Sequence, residues 1–384
     1  MARSTGTYSS VSTGGEAVKA FVPANLPVSS PPLDTERLWR QIEAAEYALE
    51  HLQIASQVVP SVDWFLYGFV RKEAVLSSQI EGTQATLTDL VRYEGTEDAE
   101  LTADVEEISN YVEALKFARA QLASAKGLPL SVRLLNETHK RLMKGVRGAN
   151  KAPGQIRRTQ NWIGGTRPGN ASFVPPPPER LPQLLTSLEK YWHARDDLAP
   201  VARIGLVHAQ FETIHPYLDG NGRIGRLLIA LLLEHWKLLP TPLLYLSLYF
   251  RRHQAEYYRR LSLVRTNGDW EGWLEFFLEG VAEISREAVT LAAELFRLVS
   301  ADRLRLLEHA SSVHALRLFE KLPSNPIITV NSAIRLLSTT KPTASAAVQT
   351  LVSAKVLQEI TGKRRSRSFA YAEYLKKLAA GTEL

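Results

Sequence analysis

The sequence predicts a mainly α-helical protein: a helical body with a small β-hairpin flap, then a smaller C-terminal domain. Three observations carry this. Apolar residues recur at helical spacing through most of the chain, as in Val201, Ile204, Val207, Phe211 and Ile214. Residues 145–178 break that rhythm with many glycines and prolines, the texture of a hairpin or flap. From Ser311 the pattern changes to short helix, strand, helix, turn, helix and a basic hairpin.

Size and composition set the outer limits. The 384 residues, 45% of them hydrophobic, suffice for two or three domains with real cores. A net charge of +6 is mild for this length and does not make the whole chain a nucleic-acid binder. The absence of cysteine excludes disulfides and thiol catalysis and leaves zinc only His and carboxylate ligands. There is no charged-then-apolar leader and no run of roughly 18 apolar residues. The expectation is a cytoplasmic protein with no membrane partner.

In chain order, residues 1–34 are rich in Ser, Thr, Gly and Pro and read as an extended arm. From Thr35 the residues Leu38, Ile42, Ala45, Leu49 and Leu52 form one amphipathic face. A second helix is predicted from about Asp63 to Ile80, with Gly82 in the helix-stop position. Glu81 stands in its last turn, where a negative charge opposes the helix dipole at a cost of about 0.3–1 kcal/mol unless a cation answers it. Further helices follow from about Thr102 to Ala125 and from Ser131, a plausible N-cap, to Lys144.

The chemistry concentrates in His215-Pro-Tyr-Leu-Asp-Gly-Asn-Gly-Arg-Ile-Gly-Arg226. One imidazole, one carboxylate, glycines, an asparagine and two arginines suit a polyphosphate with Mg²⁺. Gly220 and Gly222 permit a sharp turn that brings backbone N–H groups close to phosphate. A helix read from Ile224 to Leu239 is apolar nearly all round and therefore buried, and its N-terminus favours an anion. The competing reading is a metal hydrolase using His208, His215 and Asp219. It lacks a His-x-x-x-His pair and a third nitrogen ligand.

The His215–Arg226 run resembles the signature of Fic domains, His-x-Phe-x-(Asp/Glu)-Gly-Asn-Gly-Arg-x-x-Arg, departing only in Tyr217. Gly222, where Doc-type kinases carry Lys, argues against that branch. The resemblance implies a Fic-type helical bundle that transfers AMP from ATP to a Ser, Thr or Tyr hydroxyl of a protein. On it, His215 is the base, Asp219 the Mg²⁺ ligand, and Gly220, Asn221 and Gly222 the α-phosphate site. Arg223 answers the β-phosphate and Arg226 the γ-phosphate. Ser77 to Gly82 resembles the family's inhibitory motif, (Ser/Thr)-x-x-x-Glu-(Gly/Asn), which makes Glu81 a brake paired with Arg226. Gly154 to Gly165 with Phe173 onward resembles the family's flap, so Ile163, Gly164 and Gly165 are expected near the nucleotide, and Tyr257 of Tyr257-Tyr258 beside adenine.

The predicted domains are an arm at 1–34, an N-terminal helical region with the inhibitory helix at 35–126, a catalytic core at 127–310 and a domain at 311–384. The last resembles a winged helix-turn-helix. Lys363, Arg364, Arg365 and Arg367 at its hairpin tip suit phosphate backbones, although the presumed recognition helix has few cations to read bases. The expected function is an autoinhibited protein adenylyltransferase using ATP and Mg²⁺. Its partner is a protein hydroxyl, with self-modification, a homodimer and DNA at the C-terminal domain left open. Two alternatives stand beside it: a DNA-binding regulator whose body senses nucleotide, and an enzyme removing AMP from modified protein.

Overall fold

A computed structural model of the chain describes residues 3–29, 31–58, 62–96, 101–145, 150–309, 312–362 and 366–384. The elements begin with strands β1 (Gly6–Thr13) and β2 (Glu16–Pro23). Helices α1 (Thr35–Val58), α2 (Val62–Ile80), α3 (Leu87–Gly95), α4 (Ala103–Ala123), α5 (Val132–Leu142) and α6 (Leu181–His193) follow. Next come α7 (Pro200–Ile214), α8 (Asn221–His235), α9 (Ser247–Arg252), α10 (Gln254–Asn267) and the long α11 (Trp270–His309). The chain closes with α12 (Val313–Lys321), β3 (Ile327–Thr329), α13 (Val330–Leu337), α14 (Lys341–Ser353), β4 (Gln358–Glu359), β5 (Ser368–Ala370) and α15 (Ala372–Ala379).

Two compact units divide the chain, with boundaries inside α1, α4 and α11 rather than at 126 and 310. The first comprises Met1–Glu50, Asn110–Pro242 and Leu246–Ser285. At its centre, α7 and α8 are buried along nearly their whole lengths, as an all-apolar pattern requires. Small residues allow the close packing. A Cβ on Gly225 would run into the Glu212 carboxylate, and one on Gly205 would press on Leu274 and Phe277 of α11. The Trp273 indole N–H donates to the Gly205 carbonyl at 2.8 Å.

His208 ties three helices together. Its Nδ1 lies 3.0 Å from the Gly225 carbonyl, which can only accept, so Nδ1 carries the proton. Nε2 therefore accepts from the Tyr257 hydroxyl at 2.9 Å. Both ring nitrogens are engaged within a core of Phe250, Tyr257 and Trp273. That excludes His208 as a metal ligand.

Residues 1–34 correct the expectation of an extended arm. β1 and β2 form an antiparallel hairpin in register Gly6↔Pro23 through Thr13↔Glu16. Gly14 and Gly15, both at positive φ, make the two-residue turn such a hairpin favours. The Phe21 N–H donates to the Val174 carbonyl at 2.9 Å, so β2 lies along the flap segment. Arg167 and Glu16 add an ion pair at 2.6 Å.

The second unit comprises His51–Ser109, Leu243–Tyr245 and Arg286–Leu384. It joins α2 and α3 to the C-terminal elements, and so departs from a separate domain at 311–384. The Lys72 ammonium donates to the Ala380 carbonyl at 2.7 Å, and the Gln79 amide to the Thr382 carbonyl at 2.8 Å. A Cβ on Gly68 would meet Leu378. A three-stranded antiparallel sheet in the order β3-β5-β4 packs with α12, α13 and α14. Thr329 caps α13, and α14 starts at Lys341 with Pro342 in its first turn.

Burial pushes His208 down to about 3 from an ordinary 6.5. The unfolded chain then binds a proton that the folded one refuses. Its contribution to stability is complete above pH 6.5 and declines as pH falls below that value toward 3. The expected result in urea unfolding is a midpoint that drops on acidification from about pH 6.5. A His208→Gln variant is expected to be less stable at neutral pH and to show a shallower acid decline.

Candidate active site

The functional loop joins α7 to α8. α7 ends on His215, whose backbone is left-handed (φ 50°, ψ 61°) and whose N–H donates to the Phe211 carbonyl at 2.9 Å. A non-glycine residue in that conformation costs about 1–2 kcal/mol, so neighbouring contacts must hold it. Arg157 supplies one, its Nε donating to the His215 carbonyl at 3.0 Å. The same guanidinium donates to the Thr159 carbonyl at 3.2 Å and the Pro176 carbonyl at 2.5 Å, and the Arg157 N–H to the Pro216 carbonyl at 2.9 Å. Burial lowers its pKa to about 10, so it stays charged at neutral pH.

Asn221 closes the loop from the other side. Its carboxamide accepts from the Tyr217 N–H and donates to the Tyr217 carbonyl, both at 2.8 Å. These two bonds fix the orientation of the carboxamide against the Tyr217 backbone and leave its second N–H uncommitted to that residue. The Tyr217 ring is buried, as an aromatic anchor should be, and its hydroxyl donates to Asn136 on α5 at 2.8 Å.

His139 on α5 stacks on Tyr217 with ring centroids 3.9 Å apart. The Gly154 N–H donates to its Nδ1 at 2.8 Å, which places the ring proton on Nε2, 2.9 Å from the Asp219 carbonyl. Burial first, with Arg223 adding to it, lowers its pKa to about 4 against the opposing pull of the Asp219 carbonyl, so it is neutral at physiological pH. His139 and Arg157 were assigned no role from the sequence. His139 sits at helical spacing with buried Leu135 and Leu142, a polar residue on an apolar face, which is the one signal that marks it.

α8 begins at Asn221, earlier than the expected Ile224, after left-handed Gly220 (φ 75°, ψ 8°). No side chain caps this end, which leaves it open to an anion. The Gly220 N–H already donates to the Asp219 carboxylate at 2.6 Å. Arg223 and Arg226 are both buried in the first turns of α8. Arg223 lies 3.8 Å from the Asp219 carboxylate, itself 44% exposed. Among the described residues no cluster of three His, Asp or Glu side chains forms a metal site. One exposed carboxylate fits Mg²⁺ only as part of a shell completed by phosphate oxygens and water.

The flap is smaller than the predicted hairpin: one antiparallel bridge, Ile163↔Phe173, bonded at 2.8 and 3.1 Å. Gly164 and Gly165, at positive φ, make the turn that follows Ile163. The flap is anchored to the loop, since the Asn161 amide donates to the Tyr217 carbonyl at 3.2 Å. Tyr257 is 1% exposed and engaged with His208, so no face of it is open to adenine; Tyr258, 46% exposed, is the accessible ring of that pair.

Comparison with known proteins supplies the family. A Fic/DOC family model matches residues 129–233, and a Fic/DOC family N-terminal model matches residues 39–120. The chain belongs to the Fic/DOC family. Among its curated relatives is the protein adenylyltransferase Fic of Drosophila grimshawi, 28% identical over 180 residues, covering 46% of this chain and 33% of that protein. Another is a probable protein adenylyltransferase of Aquifex aeolicus, 26% identical over 172 residues, covering 44% and 50%. The matched region is thus a third to a half of those relatives. Its fold is shared with a Fic family protein from Desulfovibrio desulfuricans G20 (TM-score 0.57, 19% identity, 88% of this chain and 97% of that one). It is also shared with Fic-1 from C. elegans (TM-score 0.51, 21% identity, 70% and 76%).

In this Fic chain, Ser77 is fully buried near the end of α2 and Gly82 leaves the helix at φ 93°. Glu81 is exposed at that end. The Ser78 carbonyl accepts from the Glu81 and Thr83 N–H groups at 3.0 and 3.2 Å. Glu81 and Arg226 belong to different compact units. Later in the second unit's sequence, Arg367 pairs with Glu359 at 3.1 Å, while Lys363, Arg364 and Arg365 lie outside the described residues. Among the described residues no helix is long and apolar enough to cross a membrane.

An Arg157→Lys substitution keeps the charge but loses the fork that reaches three carbonyls. We expect a stability loss of about 1–3 kcal/mol and a fall in turnover, measured by thermal unfolding and nucleotide-transfer assays. The same change at exposed Arg158 should leave both near the starting values.

Proposed function

We propose that this chain is a protein adenylyltransferase: it transfers AMP from ATP to a protein hydroxyl and releases pyrophosphate. The observation that carries the reading is the pairing of left-handed His215 with the uncapped N-terminus of α8, where Arg223 and Arg226 are buried. Two arginines in the first turns of a helix whose N-terminus no side chain caps are well matched to a polyphosphate. The names of the curated relatives point the same way.

In this mechanism the α-phosphate settles on the first amides of α8, and Arg223 and Arg226 take the outer phosphates. Asp219 would hold Mg²⁺, which neutralises phosphate charge when bound. His215 removes the proton from an incoming hydroxyl, whose oxygen forms a bond to the α-phosphorus as the bond to pyrophosphate breaks in line. Most of the rate gain comes from positioning and charge neutralisation, which a loop fixed by Asn221, Arg157 and His139 supplies. The flap would hold the target by backbone pairing alongside Ile163–Phe173.

Glu81 is the brake in this reading. It rests on the resemblance of Ser77 to Gly82 to the inhibitory motif and on an acidic side chain placed at a helix C-terminus, where the dipole gives it no support. A second reading concerns the C-terminal elements, whose order α12, β3, α13, α14, β4, β5 is that of a winged helix. α14 carries one cation, Lys341, which favours backbone or protein contact over base reading.

The test is incubation of purified protein with labelled ATP and analysis of mass gained by protein. Glu81→Gly should raise AMP incorporation by about tenfold or more, the gain expected on freeing a phosphate-binding arginine. His215→Ala should abolish incorporation in either background. No added incorporation with Glu81→Gly would remove the brake, and activity surviving His215→Ala would remove the mechanism.

A further inference from the structure

Away from the catalytic loop, the first unit carries a groove of about 1190 Å³ between the first half of α1, the segment around Pro27–Leu33 and the start of α7. Six carboxylates line it: Glu36, Glu43, Glu46, Glu50, Asp196 and Asp197. The lining holds no Lys, Arg or His, in a chain whose net charge is +6. Buried Arg203 approaches Asp196 only to 3.9 Å. Glu43, Glu46 and Glu50 stand three and four residues apart on one helix face, a spacing at which like charges repel.

Between the carboxylates the groove is apolar. Trp39 is 52% exposed and Tyr47 63% exposed on the same face of α1, and Leu198 faces them from the other wall. Exposed aromatic rings ringed by charge are what a protein-binding surface presents before its partner arrives. An isologous dimer through this face would set the six carboxylates of one copy against the same six of another, which repulsion opposes.

We propose that this groove docks a cationic, amphipathic segment of a partner protein, with Lys or Arg side chains on the carboxylates and an apolar side chain against Trp39 and Tyr47. Leu206, which lines the groove, and His215 lie on the same helix path, nine residues or about 14 Å apart. One polypeptide can therefore occupy the groove and still reach the catalytic loop. Selection of the target then rests on this face, while the flap, which pairs with backbone, contributes little sequence preference. The docking claim stands apart from the transfer reaction, because its test reads binding alone.

The probe is a fluorescein-labelled amphipathic Lys/Leu peptide, with a Glu/Leu peptide of the same length as control, titrated into the full chain by anisotropy. The Lys/Leu peptide should bind saturably and more weakly as salt rises, and the Glu/Leu peptide should not bind. Trp39→Ala, and separately Glu43→Gln/Glu46→Gln/Glu50→Gln combined, should weaken binding about tenfold or more. Glu113→Gln, an exposed carboxylate elsewhere, should leave it unchanged. All these side chains are exposed, and unchanged circular dichroism and melting confirm that the variants fold. Unaltered affinity in the triple variant, or equal binding of the Glu/Leu peptide, would overturn the proposal. So would a dimer of the parent chain, seen by light scattering, that is lost in Trp39→Ala.

Discussion

The catalytic loop depends on one side chain closing on one residue's backbone. Asn221 accepts the Tyr217 N–H and donates to the Tyr217 carbonyl, so two residues after His215 the chain is pinned to the first turn of α8. A fully made pair of buried hydrogen bonds contributes about 1 kcal/mol each, and leaving either backbone group unsatisfied costs more than that. The signature asparagine therefore shapes the loop that leads from His215 into α8.

The rest of the site is arranged to keep that closure in place. Arg157 holds the His215 and Pro216 carbonyls at the left-handed turn, and His139 holds the Asp219 carbonyl while stacking on Tyr217. Both come from segments that precede the signature, and Gly154, whose N–H meets His139, opens the run that leads into the flap. Loop, flap and α5 are thus joined by one polar network, whose hydrogen bonds a low dielectric strengthens. Preorganisation of this kind is what a displacement at phosphorus requires, since little covalent work falls to the protein.

Much of this was legible in the sequence, and the failures have physical causes. The helices α7 and α8 and the glycine turn between them followed from apolar spacing and from residues with no Cβ. The helix–strand–helix–helix–strand order of the C-terminal elements followed from the change of apolar spacing after Ser311. The β1–β2 hairpin was obscured by its Ser/Thr-rich composition, although Gly14-Gly15 between strand-forming residues was a usable turn signal. The division into units was hidden because Lys72 and Gln79 find their partners about 300 residues away, at Ala380 and Thr382. Tyr257 was misjudged because its partner, His208, is distant in sequence and buries it. His139 and Arg157 bind carbonyls, and carbonyls carry no residue identity for a sequence pattern to show.

The most direct test is amide hydrogen exchange at Tyr217 in the nucleotide-free chain, native and Asn221→Ala. If Asn221 closes the loop, the Tyr217 amide is strongly protected in the native protein and exchanges far faster in the variant, while α7 amides stay protected in both. Fast exchange at Tyr217 in the native protein, or equal protection in the two, would contradict the account.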